Sequence, residues 1–356
     1  MADLKLIKEM TLAKGISGYE KEASRVMKSY LEDCTDAIEY DTLGSIIGIK
    51  KGSEDVSFLM TGHIDEIGFV VKEIDESGFI KVNPVGGWMG QNLPSSLMTI
   101  TTRQGKELLG VFGSLPPHGK SAEERNKVVD PKDAFIDIGV KDKQEAIDLG
   151  IRVGDPITPK SEFNVLANEK YIMSKAFDDR IGACVVVDVL RNLKDEKTKA
   201  TIYGAGTVQE EVGLRGAKTV GQMVKPDVAI ALDVTFSKDL PGEKGDVRLG
   251  CGAVLSVMDG SVIAHTGLLH EMETICKEEN IKFELDIITA GGTDSGELSK
   301  VGSGVINMTL SLPSRYMHSN HTIVHQDDYD ATVKLLTAFV RKLDRNLVNK
   351  IVESKQ

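Results

Sequence analysis

The 356-residue sequence predicts an α/β fold into which a β domain is inserted. Strand-like and helix-like segments alternate in the first and last parts of the chain, whereas helical periodicity mostly disappears between them. In that middle part, short β-rich runs are separated by turn signals such as "DESG" and "RQG". Because the length exceeds one typical domain, we expect an α/β domain formed by residues 1–68 and 168–356, and an inserted β domain formed by residues 69–167.

The first flank begins with helices and continues with strands. In "EKEASRVMKSYLEDC", residues 20–34, apolar residues recur at spacings of three and four, which places them on one face of a helix. The runs "GSIIGIK" and "VSFLMTG" then predict two strands. The inserted domain contains the strand-like runs "GFVVKEI", "GFIKVN", "SLMTITT", "KELLGVFGS" and "AFIDIGV". A short helix is predicted there in "DKQEAIDLG".

After Lys170 the alternation of strands and helices returns. "AFDDRIGACVVVDVLRNL" predicts a loop that leads into a buried helix. The further predicted elements are the strand "TIYGAGT", the strand "DVAIALDV", the helix "HTGLLHEMETICKEEN", the strands "KFELDIIT" and "SGVINMTLSL", and the helix "DDYDATVKLLTAFVRKL". This alternation around a β block is the pattern of an α/β domain with an insertion.

Charge and cysteine usage restrict the function classes. The chain has 43 Lys and Arg against 54 Asp and Glu, a net charge of −11, which disfavours a nucleic-acid or anionic-membrane partner. The four cysteines (Cys34, Cys184, Cys251 and Cys276) form no CxxC and are expected to be reduced thiols, with Cys184 in the core. Neither an apolar leader segment nor a run of about 20 apolar residues is present. We expect a soluble, cytoplasmic protein.

Two adjacent acids follow the buried strand "TIYGAGT". Glu210 and Glu211 lie in "TVQEEVG", next to a sheet interior where an unpaired carboxylate is costly. A bound cation would explain them, because several carboxylates converge only when positive charge compensates them. One acid would then bind the metal, while its neighbour takes a proton from a water molecule.

Other acids and histidines lie close to predicted strand ends. His63 ends the strand in "LMTGHIDEIG", with Asp65 two residues later, an arrangement typical of a metal ligand oriented by a carboxylate. It is also compatible with a turn histidine beside a solvated acid. Asp178 and Asp179 precede a helix, where one acid can cap the helix and the other can pair with Arg180.

Two further signals lie nearer the C-terminus. Asp233 follows the apolar residues of "VAIAL", a frequent position for a ligand and also a frequent way to leave a sheet. His318, His321 and His325 cluster in "RYMHSNHTIVHQDD", and their spacing does not decide between a ligand and a solvated loop. Carboxylate and imidazole ligands without thiolate suit Zn²⁺, Co²⁺ or Mn²⁺.

The motifs "GHIDEIGF", "AFDDRIG", "VQEEVGLRGA", "ALDV", "GGTDSG" and "RYMHS" occur in this order. Together with "GGW" and "GSLPPH" in the inserted domain, they closely resemble the M42 metallo-aminopeptidases over nearly the whole chain. The resemblance implies a phosphorylase/hydrolase-like α/β domain, with a mixed sheet flanked by helices, and an inserted small β-barrel that is PDZ-like. It also implies dimer contacts through the inserted domain and assembly of dimers into a tetrahedral dodecamer.

The same resemblance implies a site with two divalent metal ions, with Zn²⁺ favoured and Co²⁺ or Mn²⁺ as alternatives. Asp178, rather than Asp179, would bridge the ions. The ligands implied for one ion are His63 and Asp233, and those for the other are Glu211 and His318. The implied general base, acting on the bridging water, is Glu210, and Asp65 would orient the first histidine. The resemblance further implies a cis peptide bond between Asp178 and Asp179.

Some residues depart from the family pattern or have no assigned role. His321 and His325 follow the implied ligand and are interpreted as residues of a loop or of the pocket rim. Asp294 is expected either to shape the substrate pocket or to cap a turn. Glu297 stands where small residues are more usual.

The function that follows is a cytoplasmic exopeptidase that removes N-terminal residues from short peptides. Three alternatives stay open. A glycosidase would use two carboxylates about 5–10 Å apart without a metal. A non-catalytic metal-binding or peptide-binding scaffold would need the ligands but not the adjacent Glu210. An amidohydrolase of acylated amino acids would share similar metal chemistry.

Overall fold

The structure is a computed structural model that describes residues 2–119, 121, 123 and 126–355. Its largest element is an eight-stranded mixed sheet. The strands in chain order are β1 (Ala37–Tyr40), β2 (Ile46–Lys50), β3 (Ser57–His63), β12 (Thr201–Thr207), β13 (Val228–Phe236), β14 (Ala253–Met258), β15 (Phe283–Ile287) and β16 (Ile306–Ser314). They lie side by side in the order β1-β2-β12-β3-β13-β16-β14-β15.

The middle of the sheet is parallel and its margins are mixed. Strands β12, β3, β13 and β16 run in one direction, with Thr207 opposite His63 and Asp233 opposite Ser311. Strand β2 joins β12 antiparallel, and β14 joins β16 antiparallel. The carboxyl ends of the four parallel strands therefore meet at one edge of the sheet, where α/β folds place their ligand sites.

Helices cover both faces of this sheet. They are α1 (Leu4–Leu12), α2 (Lys21–Leu31), α4 (Phe177–Asn192), α5 (Arg215–Val224), α6 (Thr266–Glu278), α7 (Ser295–Leu298), α8 (Gln326–Lys342) and α9 (Arg345–Glu353). The core on one face contains Phe58, Val186 and Phe339, from β3, α4 and α8. On the opposite face, Val220 of α5 and Leu298 of α7 pack against the sheet residue Leu59. The predicted mixed sheet flanked by helices is confirmed.

The inserted part of the chain forms a closed six-stranded antiparallel barrel. Its strands are β4 (Gly68–Ile74), β5 (Ile80–Val85), β6 (Leu97–Thr101), β7 (Glu107–Phe112), β8 (Phe135–Asp137) and β9 (Pro156–Pro159). The predicted short helix is confirmed as α3 (Lys143–Asp148). In the barrel core, the Phe69 ring stacks on Trp88 and packs edge-on against Phe112, with centroids 5.0 Å apart in both pairs.

A small three-stranded sheet follows the barrel. Strand β11 (Tyr171–Ser174) pairs on one side with β10 (Asn164–Val165) and on the other with β17 (Thr322–His325). This sheet joins the segment that leaves the barrel to the segment that precedes α8. Strands β1, β9, β10, β11, β14 and β17 and helices α5, α7 and α9 were not identified from the sequence. Most of these elements are too short to display a distinct period. Helices α5 and α9 do carry a helical signal, because buried Ala217 and Val220 in α5, and Val348 and Ile351 in α9, recur at helical spacing.

The cysteines and the helix lengths bear on two further expectations from the sequence. All four cysteines are free thiols, and Cys184 lies in the core of α4, as predicted. Within the described residues, none of the helices combines the length and the apolar character that crossing a bilayer requires.

Candidate metal centre

Five chain segments meet at the carboxyl edge of the parallel strands. His63 is the last residue of β3, and the two glutamates follow β12 after a short turn. Asp178 lies at the start of α4, where the backbone is not yet helical. His318 follows β16. Asp233 is the exception to the expected placement at a strand end, because β13 continues for three more residues to Phe236.

The ligand atoms form two overlapping groups of three. In each group, one atom from every residue lies within 4.8 Å of the others: His63, Asp178 and Asp233 in the first, and Asp178, Glu211 and His318 in the second. The Asp178 carboxylate lies between the histidines, with Oδ1 3.0 Å from Nε2 of His63 and Oδ2 3.2 Å from Nε2 of His318. It is the one residue common to both groups, a position suited to bridging two cations.

Backbone carbonyls determine which nitrogen each histidine presents to the centre. The Nδ1 atom of His63 is 3.1 Å from the carbonyl oxygen of Asp65, and Nδ1 of His318 is 2.7 Å from that of Gly87. Because a carbonyl can only accept, Nδ1 donates in both cases. Nε2 of each ring therefore faces Asp178, in the orientation that metal-binding histidines adopt.

The Asp65 carboxylate contacts more of the site than the sequence indicated. Its Oδ1 accepts a hydrogen bond from the backbone N–H of Glu210 at 3.0 Å, and its Oδ2 accepts one from that of Glu211 at 3.2 Å. The Ser17 hydroxyl donates to Oδ2 at 2.6 Å. The carboxylate lies 3.5 Å from Nδ1 of His63, farther than the carbonyl of the same residue. Asp65 thus positions the backbone of both glutamates as well as contacting the histidine.

The two aspartates at the start of α4 have different surroundings. The peptide bond between them is cis, as predicted. Asp179 is fully buried, and its carboxylate accepts hydrogen bonds from the backbone N–H of His63 and of Gly182, both at 3.2 Å. Arg180 pairs with Glu66 rather than with either aspartate.

Burial and crowding of like charges shift the pKa values of the site. Burial, with the charge of Asp178 added, raises the pKa of Glu211 to about 8. Burial also raises the pKa of Glu210 and of Asp233 well above their ordinary values. For Asp178 burial acts in the same direction, but hydrogen bonds from His318 and His63 outweigh it and lower the pKa. Carboxylates that resist ionisation together are stabilised as anions by a bound cation.

The residues without an assigned role lie outside the metal groups. His321 is exposed on the surface. His325 is not a rim residue, because it is buried before α8, where its Nδ1 accepts a hydrogen bond from the backbone N–H of Asp327 at 3.1 Å. Asp294 neither lines the cavity nor caps a helix with its side chain, since it is buried and accepts a hydrogen bond from Thr207 Oγ1 at 2.6 Å. Glu297 pairs with Lys300.

A cavity of about 600 Å³ opens onto the centre. Glu210 lines it together with the ligand residues Asp178, Glu211, Asp233 and His318. Glu210 belongs to neither group of three, and its Oε2 lies 3.8 Å from Nε2 of His63. Metal-dependent hydrolases use this arrangement, in which a carboxylate that is not a ligand lies beside the metal ligands in an open cavity. The fold and the site together define a metallohydrolase.

Comparison with known proteins identifies the family. The family model described as M42 glutamyl aminopeptidase matches residues 44–335, and a short model described as AMPT matches residues 2–27. The lysyl aminopeptidase of Pyrococcus furiosus is 32% identical, over 96% of this chain and 98% of its own length. The chain belongs to the M42 peptidase family, whose members are metallopeptidases, and it is an aminopeptidase-type hydrolase.

Solved structures agree over the full length. A TET aminopeptidase from a marine-sediment Thaumarchaeota archaeon has a TM-score of 0.95 and 37% identity, covering 98% of this chain and 99% of its own. The Pyrococcus horikoshii TET1 peptidase, described as assembling into a tetrahedron or a large octahedral shell, has a TM-score of 0.87 and 32% identity, with 96% and 100% covered. A Thermotoga maritima protein described as an endoglucanase is also similar, with a TM-score of 0.77 and 27% identity, covering 98% of this chain and 99% of its own.

Several groups that shape the site were missed from the sequence. They are the Ser17 hydroxyl, the Gly87 carbonyl and the Asp179 carboxylate. The motif "GGW" around Gly87 drew attention to that loop, but a backbone acceptor has no side-chain signature. Ser17 lies in no recognised motif, so its contact with Asp65 depends on the folded chain alone.

Proposed function

We propose that this chain binds two divalent metal ions and removes N-terminal residues from short peptides. The observation that carries the proposal is that two groups of three ligands share Asp178, while Glu210 stays outside both groups. The ligands for one ion are His63 and Asp233, and those for the other are Glu211 and His318. The donor set consists of imidazole nitrogens and carboxylate oxygens, which suits Zn²⁺ best and also Co²⁺ or Mn²⁺.

Each residue of the site has a defined task in this reaction. Bound divalent ions supply the positive charge that acidifies a water molecule and polarises the scissile carbonyl. Glu210 takes the proton from the attacking water and returns it to the departing amine. Glu210 belongs to neither ligand group and its Oε2 lies 3.8 Å from Nε2 of His63, so its carboxylate stays available beside the ligands to carry that proton. Asp65 positions Glu210 through its backbone N–H and orients His63.

We further propose a division of labour between domains. Residues 1–68 and 168–356 form the catalytic domain, and residues 69–167 mediate contacts between subunits. The similarity to the Pyrococcus horikoshii TET1 peptidase, which can assemble into a tetrahedron or a large octahedral shell, supports assembly of this chain into a homo-oligomer, with dimers combining into a tetrahedral dodecamer. The four free cysteines support activity in the cytoplasm, where thiols stay reduced.

The test is the substitution Glu210→Gln in the metal-loaded protein. Metal content is expected to stay at the wild-type ratio, because Glu210 is not a ligand, whereas turnover of aminoacyl p-nitroanilides is expected to fall by roughly a hundredfold or more. Glu297→Gln is the matched control and should leave both values unchanged, because Glu297 pairs with Lys300 and lies outside both ligand groups and the cavity lining. Unchanged turnover in Glu210→Gln rejects the general-base role.

A chelator experiment separates the peptidase from a glycosidase. The endoglucanase description of one structural neighbour motivates this comparison. A metallopeptidase loses peptide cleavage with a chelator and regains it with Zn²⁺, Co²⁺ or Mn²⁺, while soluble cellulose stays intact throughout. Chelator-resistant cleavage of cellulose would favour the two-carboxylate mechanism instead.

A further inference from the structure

Outside the candidate metal centre, the cavity is lined by apolar residues, glycines and three hydroxyl residues, Thr235, Ser261 and Thr293. Its titratable lining groups are the four carboxylates and the one histidine of the centre, and among the described residues no lysine or arginine lines it. The apolar lining residues are Leu214, Val234, Phe236, Ile288, Ala290 and Met317. Phe236 is 55% exposed although it borders a concave site. When an apolar ligand group covers a solvated aromatic side chain, apolar surface is removed from water, which stabilises the complex.

Asp286 and Lys238, which lie next to the lining residue Thr235, are paired with each other. Thr235, a lining residue, donates from Oγ1 to the buried Asp286 carboxylate at 2.6 Å. The other oxygen of that carboxylate accepts a hydrogen bond from the Lys238 ammonium at 2.9 Å. Each of these two charges has an opposite charge beside it. Asp286 is therefore not free to bind a cationic side chain, and Lys238 is not free to bind an anionic one.

A second acid near the cavity is also fully occupied. The Asp259 carboxylate accepts hydrogen bonds from the backbone N–H groups of Ser261 and Val262, from the Ser261 hydroxyl and from the Thr293 hydroxyl. Ser261 and Thr293 line the cavity, and this network joins them to the acid behind them. The surface presented to a ligand here consists of small and apolar side chains.

We infer that the N-terminal side chain of the preferred substrate is apolar and uncharged, of the leucyl, methionyl or phenylalanyl class, and that it binds against Phe236 and Ile288. This inference rests on the proposed function and specifies its substrate. It separates this chain from the glutamyl specificity in the family description and from the lysyl specificity of the Pyrococcus furiosus relative.

The two charged classes differ in how strongly this wall disfavours them. A glutamyl side chain that packs against this wall loses water without gaining a lysine or arginine partner among the described lining residues, which is the costly case. A lysyl side chain can lay its methylene stem along Phe236 and keep the ammonium in solvent, because the cavity is open. The expected order of preference is therefore apolar first, lysyl second and glutamyl last.

The test compares leucyl, phenylalanyl, lysyl and glutamyl p-nitroanilides on the metal-loaded wild-type protein. The kcat/KM for the leucyl substrate should exceed that for the lysyl substrate by roughly tenfold and that for the glutamyl substrate by about a hundredfold or more. A glutamyl or lysyl substrate that is cleaved best would overturn the inference while leaving the aminopeptidase proposal intact. Absence of cleavage of every substrate would contradict the aminopeptidase proposal and, with it, this inference.

Substitutions of Ile288 and Phe236 test whether these residues contact the N-terminal side chain of the substrate. Ile288→Lys adds a cation to the cavity and should raise the glutamyl-to-leucyl ratio of kcat/KM by at least about tenfold. Ile287→Lys is the matched control, because Ile287 is 57% exposed and does not line the cavity. Phe236→Ala should lower kcat/KM for the phenylalanyl substrate more than for the lysyl substrate. Equal ratios in Ile288→Lys, Ile287→Lys and the wild type would overturn the placement of the side chain.

Discussion

The carbonyl oxygen of Gly87 lies 2.7 Å from Nδ1 of His318. Gly87 follows barrel strand β5, whereas His318 belongs to the α/β domain, so a backbone group of the inserted domain orients a candidate metal ligand. The next residue, Trp88, donates from its indole N–H to the carbonyl of Gly68 at 3.0 Å and stacks on Phe69. The barrel core thus holds Trp88 in place, and with it the neighbouring Gly87 carbonyl that contacts His318. The barrel segment therefore contributes a backbone group to the candidate metal centre.

Gly87→Ala tests this relationship. A Cβ at Gly87 would lie 3.0 Å from Nδ1 of His318, so the ring must move. Loss of an outer hydrogen bond to a metal ligand typically weakens metal binding by roughly 10–100-fold. We expect that decrease for one of two ions, measured by competition with a chromophoric chelator. Gly119→Ala is the control, because a Cβ there meets no atom of the described residues within 4 Å. An equal effect of both substitutions would refute the proposed role of the Gly87 carbonyl.

Asp65→Asn should affect both stability and turnover. Asp65 Oδ1 accepts from the backbone N–H of Glu210, and Oδ2 accepts from that of Glu211 and from the hydroxyl of Ser17. An asparagine keeps one acceptor oxygen and replaces the other with an amino group, so at least one backbone N–H then faces a donor instead of an acceptor. We expect the free energy of unfolding to fall by about 1.5–3 kcal/mol and kcat to fall with it, measured by denaturant titration and steady-state kinetics.

Asp75→Asn is the comparison for this variant. Asp75 also accepts two backbone hydrogen bonds, from Ser77 and Phe79, but it does so in a surface turn where water can replace them. The Asp75→Asn substitution should lower the free energy of unfolding by less than about 1 kcal/mol and leave kcat unchanged. If the two variants lose similar stability and Asp65→Asn keeps full kcat, Asp65 does not position Glu210, the proposed general base.

Glu66 pairs with two buried cations, Lys175 and Arg180. Both of its oxygens lie 2.7 Å from the Lys175 ammonium, and Oε1 is 3.3 Å from the Arg180 guanidinium. Arg180 is fully buried and also donates to the carbonyls of Ile64 and Gly15. Glu66→Gln leaves two buried cations without an anion, so we expect a loss of about 3–5 kcal/mol in the free energy of unfolding. Denaturant titration measures this loss.

A surface ion pair provides the control for Glu66→Gln. Glu76 pairs with Lys143 at 2.8 Å, and its side chain is 88% exposed. Exposed ion pairs contribute between about 0 and 1 kcal/mol to stability, so Glu76→Gln should leave the free energy of unfolding almost unchanged. A Glu66→Gln variant as stable as Glu76→Gln would show that the buried cations find other partners.

Lowering the pH should weaken the ion pair between Arg315 and Asp239. Arg315 donates to both oxygens of Asp239, at 2.8 and 2.6 Å, and lowers the pKa of that carboxyl to about 2. Because the pKa is lower in the folded state, the unfolded chain binds more protons on acidification, so the stabilisation is present above about pH 4 and is lost toward pH 2. The pair is partly solvated, which limits its contribution to about 1 kcal/mol.

The measurement is the difference in unfolding free energy between wild type and Asp239→Asn at several pH values. We expect a difference that is constant above about pH 4 and shrinks below it. Asp327→Asn removes a more exposed pair with Lys170 and should show a smaller difference at neutral pH. A difference for Asp239→Asn that grows on acidification has the opposite sign and would contradict the lowered pKa.

Much of the candidate site was predictable from local sequence. Acids and histidines at the carboxyl ends of apolar strands indicated a ligand site, and six ordered motifs identified the family and the implied ligands. The carboxylates and imidazoles that the structure brings together are those the motifs contain. Such residues are visible in a sequence because side-chain type and strand periodicity are local properties.

The sequence by itself determined the fold class, the family and the residues able to bind metal. Only the tertiary structure decided that the Gly87 carbonyl orients His318, that the Asp65 carboxylate contacts both glutamate backbones, and that apolar side chains line the cavity beside the metal centre. The physical reason is that these contacts use backbone acceptors or join residues far apart in the chain. Backbone groups are the same in every residue, so their partners depend on where the folded chain places them.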